Sequence, residues 1–184
     1  KPQVMDKVMA GLGSLLHPDV TVLSIAAGST IASLAKHAAD KTAIVRSMPN
    51  TPASVGCGMT VAIANEYVSD RMRKVCDHLL QAVGKVEWID DEALMDPVTA
   101  VSGSGPAYVF RWMEALQQSA ESLGLPADKA NALVLQLVRG AAELAMRSPD
   151  PVGTLRERVT SPNGATAAGL DAMSNSGLFE AIVE

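Results

Sequence analysis

The sequence predicts an α/β layer with a mostly parallel sheet, followed by an all-α region. Up to about residue 90, short runs rich in β-branched residues alternate with helical patterns, and after Asp90 and Asp91 the strand signal disappears. Aromatic residues make up only 3% of the chain while 28 residues are alanine, so we expect small and aliphatic side chains in closely packed helices. Sheets formed by such alternation place their ligand sites in the loops after the carboxyl ends of strands.

The first 90 residues contain four predicted strands. Apolar residues at helical spacing begin at Val4 and predict an opening helix. Ser29 or Thr30 is expected to cap the helix after the first strand, and Ser69 with Asp70 the helix before the last strand. Runs of β-branched residues bounded by turn residues predict strands at 20–25, 43–46, 59–64 and 85–89.

Helical patterns fill the rest of the chain. Helices are predicted at 106–123, 127–147 and 152–159, with a shorter pair after Thr166. We therefore place a domain boundary near residue 90, giving domains of 1–90 and 91–184. Pro97 lies inside the helix expected before Ser102, where it removes an N–H and is expected to kink the chain.

Composition excludes several classes of function. The formal charge is −5, there is no run of Lys or Arg, and Trp, Tyr and Phe occur only twice each, so no nucleic-acid partner is expected. No apolar stretch reaches the roughly 18 residues that span a bilayer, and the chain does not begin like a signal peptide, which predicts a soluble, cytoplasmic protein. Cys57 and Cys76 are too few for a disulfide framework. The three histidines, His17, His37 and His78, lie far apart in the sequence, so no metal site is predicted.

Two segments combine glycine with small hydroxyl residues ahead of a predicted helix. In the segment 25–29 a strand passes through Ala26, Ala27 and Gly28 into a helix, which lets a bulky cofactor approach the backbone, although a plain strand-to-helix turn explains it equally well. In the segment 102–108, free backbone amides ahead of Pro106 could hold a phosphate or hydroxyl group. Close contact between helices explains those glycines equally well.

A third segment, 159–166, is a tight turn that leads into another helix. Asn163-Gly164 favours positive φ, so successive N–H groups can converge on an anion, aided by the positive end of the helix dipole. A carboxylate fits such a site. Thr166 could donate a hydrogen bond there or cap the helix, and spacing alone favours the cap.

The absence of several common catalytic motifs limits the reactions that this sequence could catalyse. We find no Ser-His-Asp order, no Cys-His pair, no metal cluster and no P-loop. A reaction that needs little acid–base help from the protein fits best. Hydride transfer is such a reaction, because the cofactor supplies the reactive atom and the protein supplies position and electrostatics.

Four segments, in order and at compatible spacing, resemble pyrroline-5-carboxylate reductase. Lys1-Pro2-Gln3 is similar to the end of a family strand, and Met48-Pro49-Asn50-Thr51-Pro52 to a family loop. Residues 100–108 are similar to the signature of the family's helical domain, and 159–166 to its substrate loop. The resemblance implies a Rossmann-type domain whose N-terminal part is missing, followed by an all-α dimerisation domain similar to the C-terminal domain of 6-phosphogluconate dehydrogenase.

The resemblance also implies an activity and a site. The activity is reduction of 1-pyrroline-5-carboxylate to L-proline, the last step of proline biosynthesis, with NADPH or NADH, by a homodimer that can assemble further. The cofactor would lie against Lys1, Pro2, Ala26, Ala27, Gly28, Met48, Pro49 and Asn50. The substrate carboxylate would be bound mainly by backbone amides of Ser161, Gly164, Ala165 and Thr166. The Thr166 hydroxyl would lie against the ring nitrogen as the catalytic group.

Other interpretations remain open at this point. The glycine fingerprint that binds pyrophosphate is absent together with its strand-turn-helix unit, so we expect further residues upstream in the gene. Without them the chain could be an inactive helical assembly fragment. A related β-hydroxyacid dehydrogenase would need a catalytic lysine in the long helix, where Lys129 is the only one and fits poorly. The sequence does not decide between NADPH and NADH.

Overall fold

A four-stranded sheet forms the first part of the chain in the computed structural model, which describes residues 4–16 and 20–183. The strands are β1 (Thr21–Ser24), β2 (Ala43–Pro49), β3 (Gly58–Ala64) and β4 (Gly84–Trp88), in that spatial order. β1 pairs with β2 in parallel, and so does β3 with β4, whereas β2 and β3 are antiparallel. The predicted mostly parallel sheet is confirmed, with one antiparallel pair at its centre.

Three helices accompany these strands. α1 (Met5–Leu12) precedes β1, α2 (Ile31–Ala35) connects β1 to β2, and α3 (Asp70–Gln81) connects β3 to β4. The Thr30 side chain accepts a hydrogen bond from the Ser33 amide, and the Ser69 side chain accepts one from the Met72 amide. Both predicted caps are therefore present, because each hydroxyl satisfies a first-turn N–H that has no partner within its helix.

The sheet packs on both faces. Leu34 and Ile44 lie in one buried cluster, while Val45 and Ala62 pack against Cys76 and Leu80 of α3 in another. A third cluster joins Val61 and Ile63 of β3 to the fully buried Met95. Packing against the sheet therefore continues past residue 90.

Residues 92–103 form three short turns of helix. A 3₁₀ turn (Glu92–Leu94) leads into α4 (Met95–Val98) and then into a π-helical turn (Thr99–Gly103), in which the Ser104 amide donates to the Thr99 carbonyl at 2.8 Å. Pro97 is accommodated as the third residue of α4, because first-turn N–H groups have no acceptor within the helix.

Contacts divide the chain into two units, Lys1–Trp112 and Met113–Glu184, and α5 (Gly105–Ser122) contributes to both. The predicted boundary near residue 90 stays a prediction about domain organisation. The second unit contains α6 (Ala127–Arg147), α7 (Val152–Arg158), α8 (Ala165–Asn175) and α9 (Leu178–Val183). The helical region predicted from the sequence is confirmed.

The second unit leaves much apolar surface uncovered. Among its described residues, Ala130 and Val134 are buried, whereas Leu133, Leu137 and Leu144 on the same helix are each more than half exposed. Isolated chains rarely leave so many aliphatic side chains in water, so this surface indicates a protein partner. No described helix is long and apolar enough to cross a membrane.

Candidate active site

The first group of predicted site residues lies where β1 and β2 end. Parallel pairing places Ser24 opposite Arg46, so the turn after β1 and the last residues of β2 lie at the same edge of the sheet. Ala26, Ala27 and Gly28 form that turn. Gly28 has φ = +72° and an exposed backbone with no atom within 4 Å of where a Cβ would be. The glycine therefore serves the backbone conformation and leaves the turn open to a ligand.

Two serines that sequence reasoning did not identify hold the start of this turn. The buried Ser47 hydroxyl of β2 donates to the Ser24 carbonyl at 2.9 Å, and the Ser24 hydroxyl accepts from the Ala26 amide at 3.3 Å. The first residues of the turn are thus hydrogen-bonded to the sheet. A lone serine within a strand is a weak signal in a sequence, because its partner becomes visible only when the strands pair.

The second group, Met48, Pro49 and Asn50, ends β2 and begins the next loop. The Asn50 side chain bonds within the protein at both of its polar atoms: its oxygen accepts from the Met59 amide at 2.9 Å, and its nitrogen donates to the Ser102 carbonyl at 3.2 Å. Asn50 therefore connects three segments of the chain. Its side-chain amide therefore positions the loop.

The glycine-rich segment predicted as a possible ligand site packs against the same loop. Gly103 ends the π-helical turn, and a Cβ at this position would lie 2.7 Å from the Met48 Cε atom. Close packing explains this glycine directly, whereas a Cβ at Gly105 would meet no atom within 4 Å. π-helical turns inside α-helices are frequent at functional sites.

The third group lies in the second unit, at the start of α8. Asn163 has φ = +61°, which confirms the positive φ expected at Asn163-Gly164, although Gly164 itself has φ = −84°. The Gly164 amide donates to the Ser161 carbonyl at 3.0 Å and closes the turn. Ser161, Ala165 and Thr166 are all exposed.

The interpretation of Thr166 as a helix cap is wrong. The N-cap is Gly164, and Thr166 is the second residue of α8, so its hydroxyl is not used as the cap. Because the N-cap has no side chain, the amides of Ala165 and Thr166 are left for another acceptor. Exposed amides at the positive end of an 11-residue helix, with a hydroxyl beside them, suit a small anion such as a carboxylate.

Two predicted cofactor residues, Lys1 and Pro2, lie outside the described residues, as does His17. Within the described ranges, no group of three His, Cys, Asp or Glu side chains could hold a metal ion. Lys129, the lysine that a β-hydroxyacid dehydrogenase would need, is near the start of α6, with a largely exposed amine 3.6 Å from the Asp128 carboxylate.

Comparison with known proteins is consistent across sequence and structure. Residues 92–184 match the family model described as pyrroline-5-carboxylate reductase dimerisation. The chain is 46% identical over 184 residues to pyrroline-5-carboxylate reductase of Pseudomonas aeruginosa, covering all of this chain and 67% of that protein. It is 41% identical over 179 residues to the Pasteurella multocida enzyme, covering 97% of this chain and 65% of the other. The chain thus spans about two thirds of the length of these curated relatives.

Solved structures give the same result. A pyrroline-5-carboxylate reductase from Coxiella burnetii superposes with a TM-score of 0.92 at 38% identity, over 99% of this chain and 68% of that one. A Plasmodium falciparum pyrroline carboxylate reductase with NADP bound has a TM-score of 0.92 at 31% identity, over 99% of this chain and 73% of the other.

Proposed function

The chain belongs to the pyrroline-5-carboxylate reductase family, and on that premise we propose that it reduces 1-pyrroline-5-carboxylate to L-proline with NADPH or NADH. The observation that carries the proposal is the start of α8, where free amides and the Thr166 hydroxyl lie together on an exposed turn. A cyclic imine that carries a carboxylate offers an anion for those amides and a ring nitrogen for the hydroxyl. NADP in the Plasmodium falciparum relative supports the choice of cofactor.

The turn after β1 fits a dinucleotide. It combines small side chains, the open backbone at Gly28 and a position at the carboxyl edge of two parallel strands. Ala26, Ala27 and Gly28 would contact the dinucleotide, with Lys1 and Pro2 preceding them in the chain. Met48 and Pro49 would lie near the nicotinamide, at the end of β2, and the Asn50 side chain holds the loop that follows them in place. When bound, the nicotinamide supplies the hydride.

The protein's own contribution is mainly orientation. Ser161, Gly164, Ala165 and Thr166 would hold the substrate carboxylate, chiefly through backbone amides at the helix N-terminus. A cyclic imine can arrive already protonated, so its carbon is electrophilic without a strong acid from the enzyme. Holding that carbon within roughly 3 to 3.5 Å of the hydride donor captures the proximity effect. The Thr166 hydroxyl would steady the proton at the ring nitrogen.

We propose a homodimer, able to assemble further, as the working form. The exposed leucines of α6 provide apolar surface for a second copy, and residues 92–184 match a family model described by its dimerisation.

We also propose that the enzyme works in the cytoplasm, since Cys57 and Cys76 are both free thiols, as is usual in a reducing compartment. Cell fractionation with an antibody to the protein tests the compartment.

Replacement of Thr166 tests the proposed activity. Thr166→Ala should lower kcat more than it lowers NADPH affinity, and Thr166→Ser, which keeps the hydroxyl, should be much milder. Ser174→Ala removes another exposed hydroxyl from the same helix and serves as the matched control. Unchanged turnover of Thr166→Ala would exclude the hydroxyl from the mechanism.

Two other functions are less well supported. An inactive assembly fragment would dimerise without binding NADPH, which a fluorescence titration of the 184-residue chain would reveal. A β-hydroxyacid dehydrogenase is not favoured, because the exposed Lys129 at the start of α6 is a poor catalytic lysine.

A further inference from the structure

One carboxylate oxygen joins three segments that are far apart in the sequence. The Arg46 side chain of β2 is buried, with 6% of its surface exposed, and its Nη1 atom donates to Glu92 Oε1 at 2.7 Å. The same oxygen accepts the Ile31 amide at 2.9 Å. Glu92 follows β4, so this contact links the 3₁₀ turn Glu92–Leu94 both to the sheet and to the start of α2.

The Ile31 amide lies directly after the turn that we assign to the dinucleotide. Ile31 is the first residue of α2, and an N–H group at that position has no acceptor within the helix. Thr30 satisfies the Ser33 amide, and Glu92 satisfies the Ile31 amide. The turn after β1, residues 25–30, is called the 25–30 turn. Its end is fixed by Glu92, which lies 61 positions further along the chain than Ile31.

The beginning of that turn is fixed separately by the Ser47 and Ser24 hydrogen bonds. Between the two anchors, Ala26 and Ala27 are half-buried and Gly28 is exposed. A segment held at both ends and open in its middle is preorganised, so little ordering is required when a ligand binds.

Stability alone is a weak explanation for the ion pair. Burying Arg46 removes its charge from water, and buried ion pairs are often no more stabilising than apolar residues of the same volume. Positional specificity is the role for which such pairs are best attested.

We propose that Glu92, held by Arg46, is a positioning residue that keeps the 25–30 turn in its cofactor-binding conformation and so sets the affinity for NADPH. The inference rests on the proposed function, because it assigns a determinant of cofactor affinity within that same site. Glu92 would touch neither cofactor nor substrate and would act only through the Ile31 amide.

Substitutions at Glu92 test this in the full-length protein. Glu92→Ala should raise both the NADPH dissociation constant, measured by fluorescence titration, and KM for NADPH about tenfold, as expected for loss of a hydrogen bond to a charged group. The values of kcat and KM for the imine should stay within about twofold of wild type if only preorganisation is lost. Glu92→Gln keeps an acceptor for the Ile31 amide and should restore most of the affinity. Glu87→Ala, an exposed glutamate on β4, is the matched control and should change nothing.

A second pair of variants avoids an unpaired buried arginine. In an Arg46→Met background, Glu92→Gln keeps the acceptor and Glu92→Leu removes it, with neither leaving a buried cation alone. The Leu variant should bind NADPH about tenfold more weakly than the Gln variant. Equal affinities of these two folded proteins would overturn the proposal, as would a parallel change in kcat and both KM values for Glu92→Ala. Wild-type protein that binds NADPH but does not reduce the imine would overturn only the proposed function, whereas absence of NADPH binding would overturn both.

Discussion

Gly103→Ala is expected to impair the enzyme without unfolding it. The residue ends the π-helical turn, and its φ is not among the positive values, so alanine can adopt the backbone conformation. The added methyl group would lie 2.7 Å from Met48 Cε. Carbon atoms pack at about 3.5 to 4.0 Å, so the end of the Met48 side chain must move by about 1 Å.

The size of the effect follows from where that displacement falls. The Met48 methyl is the far end of a flexible side chain and can move aside, so the free energy of unfolding should fall by less than about 1 kcal/mol. Met48 is also assigned to the nicotinamide end of the site, where a misplacement of about 1 Å can cost up to about 100-fold in rate. We expect kcat/KM for the imine to fall about 10- to 100-fold.

The assay is steady-state oxidation of NADPH at varied imine concentration, with urea denaturation as the measure of stability. Gly105→Ala is the matched control, because a Cβ there meets no atom within 4 Å, and its kcat/KM should equal that of wild type. Wild-type kcat/KM in Gly103→Ala, or equal impairment in Gly105→Ala, would refute a role for the Met48 side chain in placing the nicotinamide.

Four further predictions concern stability and reactivity. Thr60 Oγ1 is buried without a hydrogen-bond partner among the described residues, so Thr60→Val should raise the free energy of unfolding by about 1 kcal/mol in urea titrations. Thr42→Val should lower it by about 1 to 3 kcal/mol, because the Thr42 hydroxyl donates within the core. Burial raises the pKa of the Cys76 thiol, whereas Cys57 is exposed, so a thiol reagent at pH 8 should label Cys57 in the folded protein and Cys76 only after unfolding. Asn163→Gly should be neutral or slightly stabilising and Asn163→Val should lower the denaturation midpoint, because a β-branched residue is strained at φ = +61° by about 1 to 2 kcal/mol; equal midpoints would contradict this.

Local patterns predicted the elements of the chain well. The hydroxyl caps at Thr30 and Ser69 and the positive φ at Asn163 follow from interactions between residues a few positions apart. α6 spans Ala127–Arg147, as its apolar periodicity predicts, although several leucines of its apolar stripe are exposed within this chain. β2 is an exception and continues to Pro49, because its pairing with β3 extends the strand beyond the β-branched run.

The parts of the site that no local pattern revealed are contacts between distant segments. Asn50 reaches Ser102 across 52 positions, and Arg46 reaches Glu92 across 46. In the sequence, Asn50 and Arg46 are single polar residues, each with many polar residues that could be its partner. The pairing of strands and the packing of residues 92–103 against the sheet select one partner for each.

The sequence by itself determined the order of strands and helices and the caps at Thr30 and Ser69, and it indicated three loops as candidate ligand sites, because those features depend on periodicity and on the backbone preferences of single residues. The tertiary structure decided the antiparallel pairing of β2 with β3 and the use of the Asn50 amide inside the protein. It also made Gly164, and not Thr166, the cap of α8. These features depend on which groups meet in space. Packing brings each polar group close to one partner, and burial makes the loss of that hydrogen bond costly.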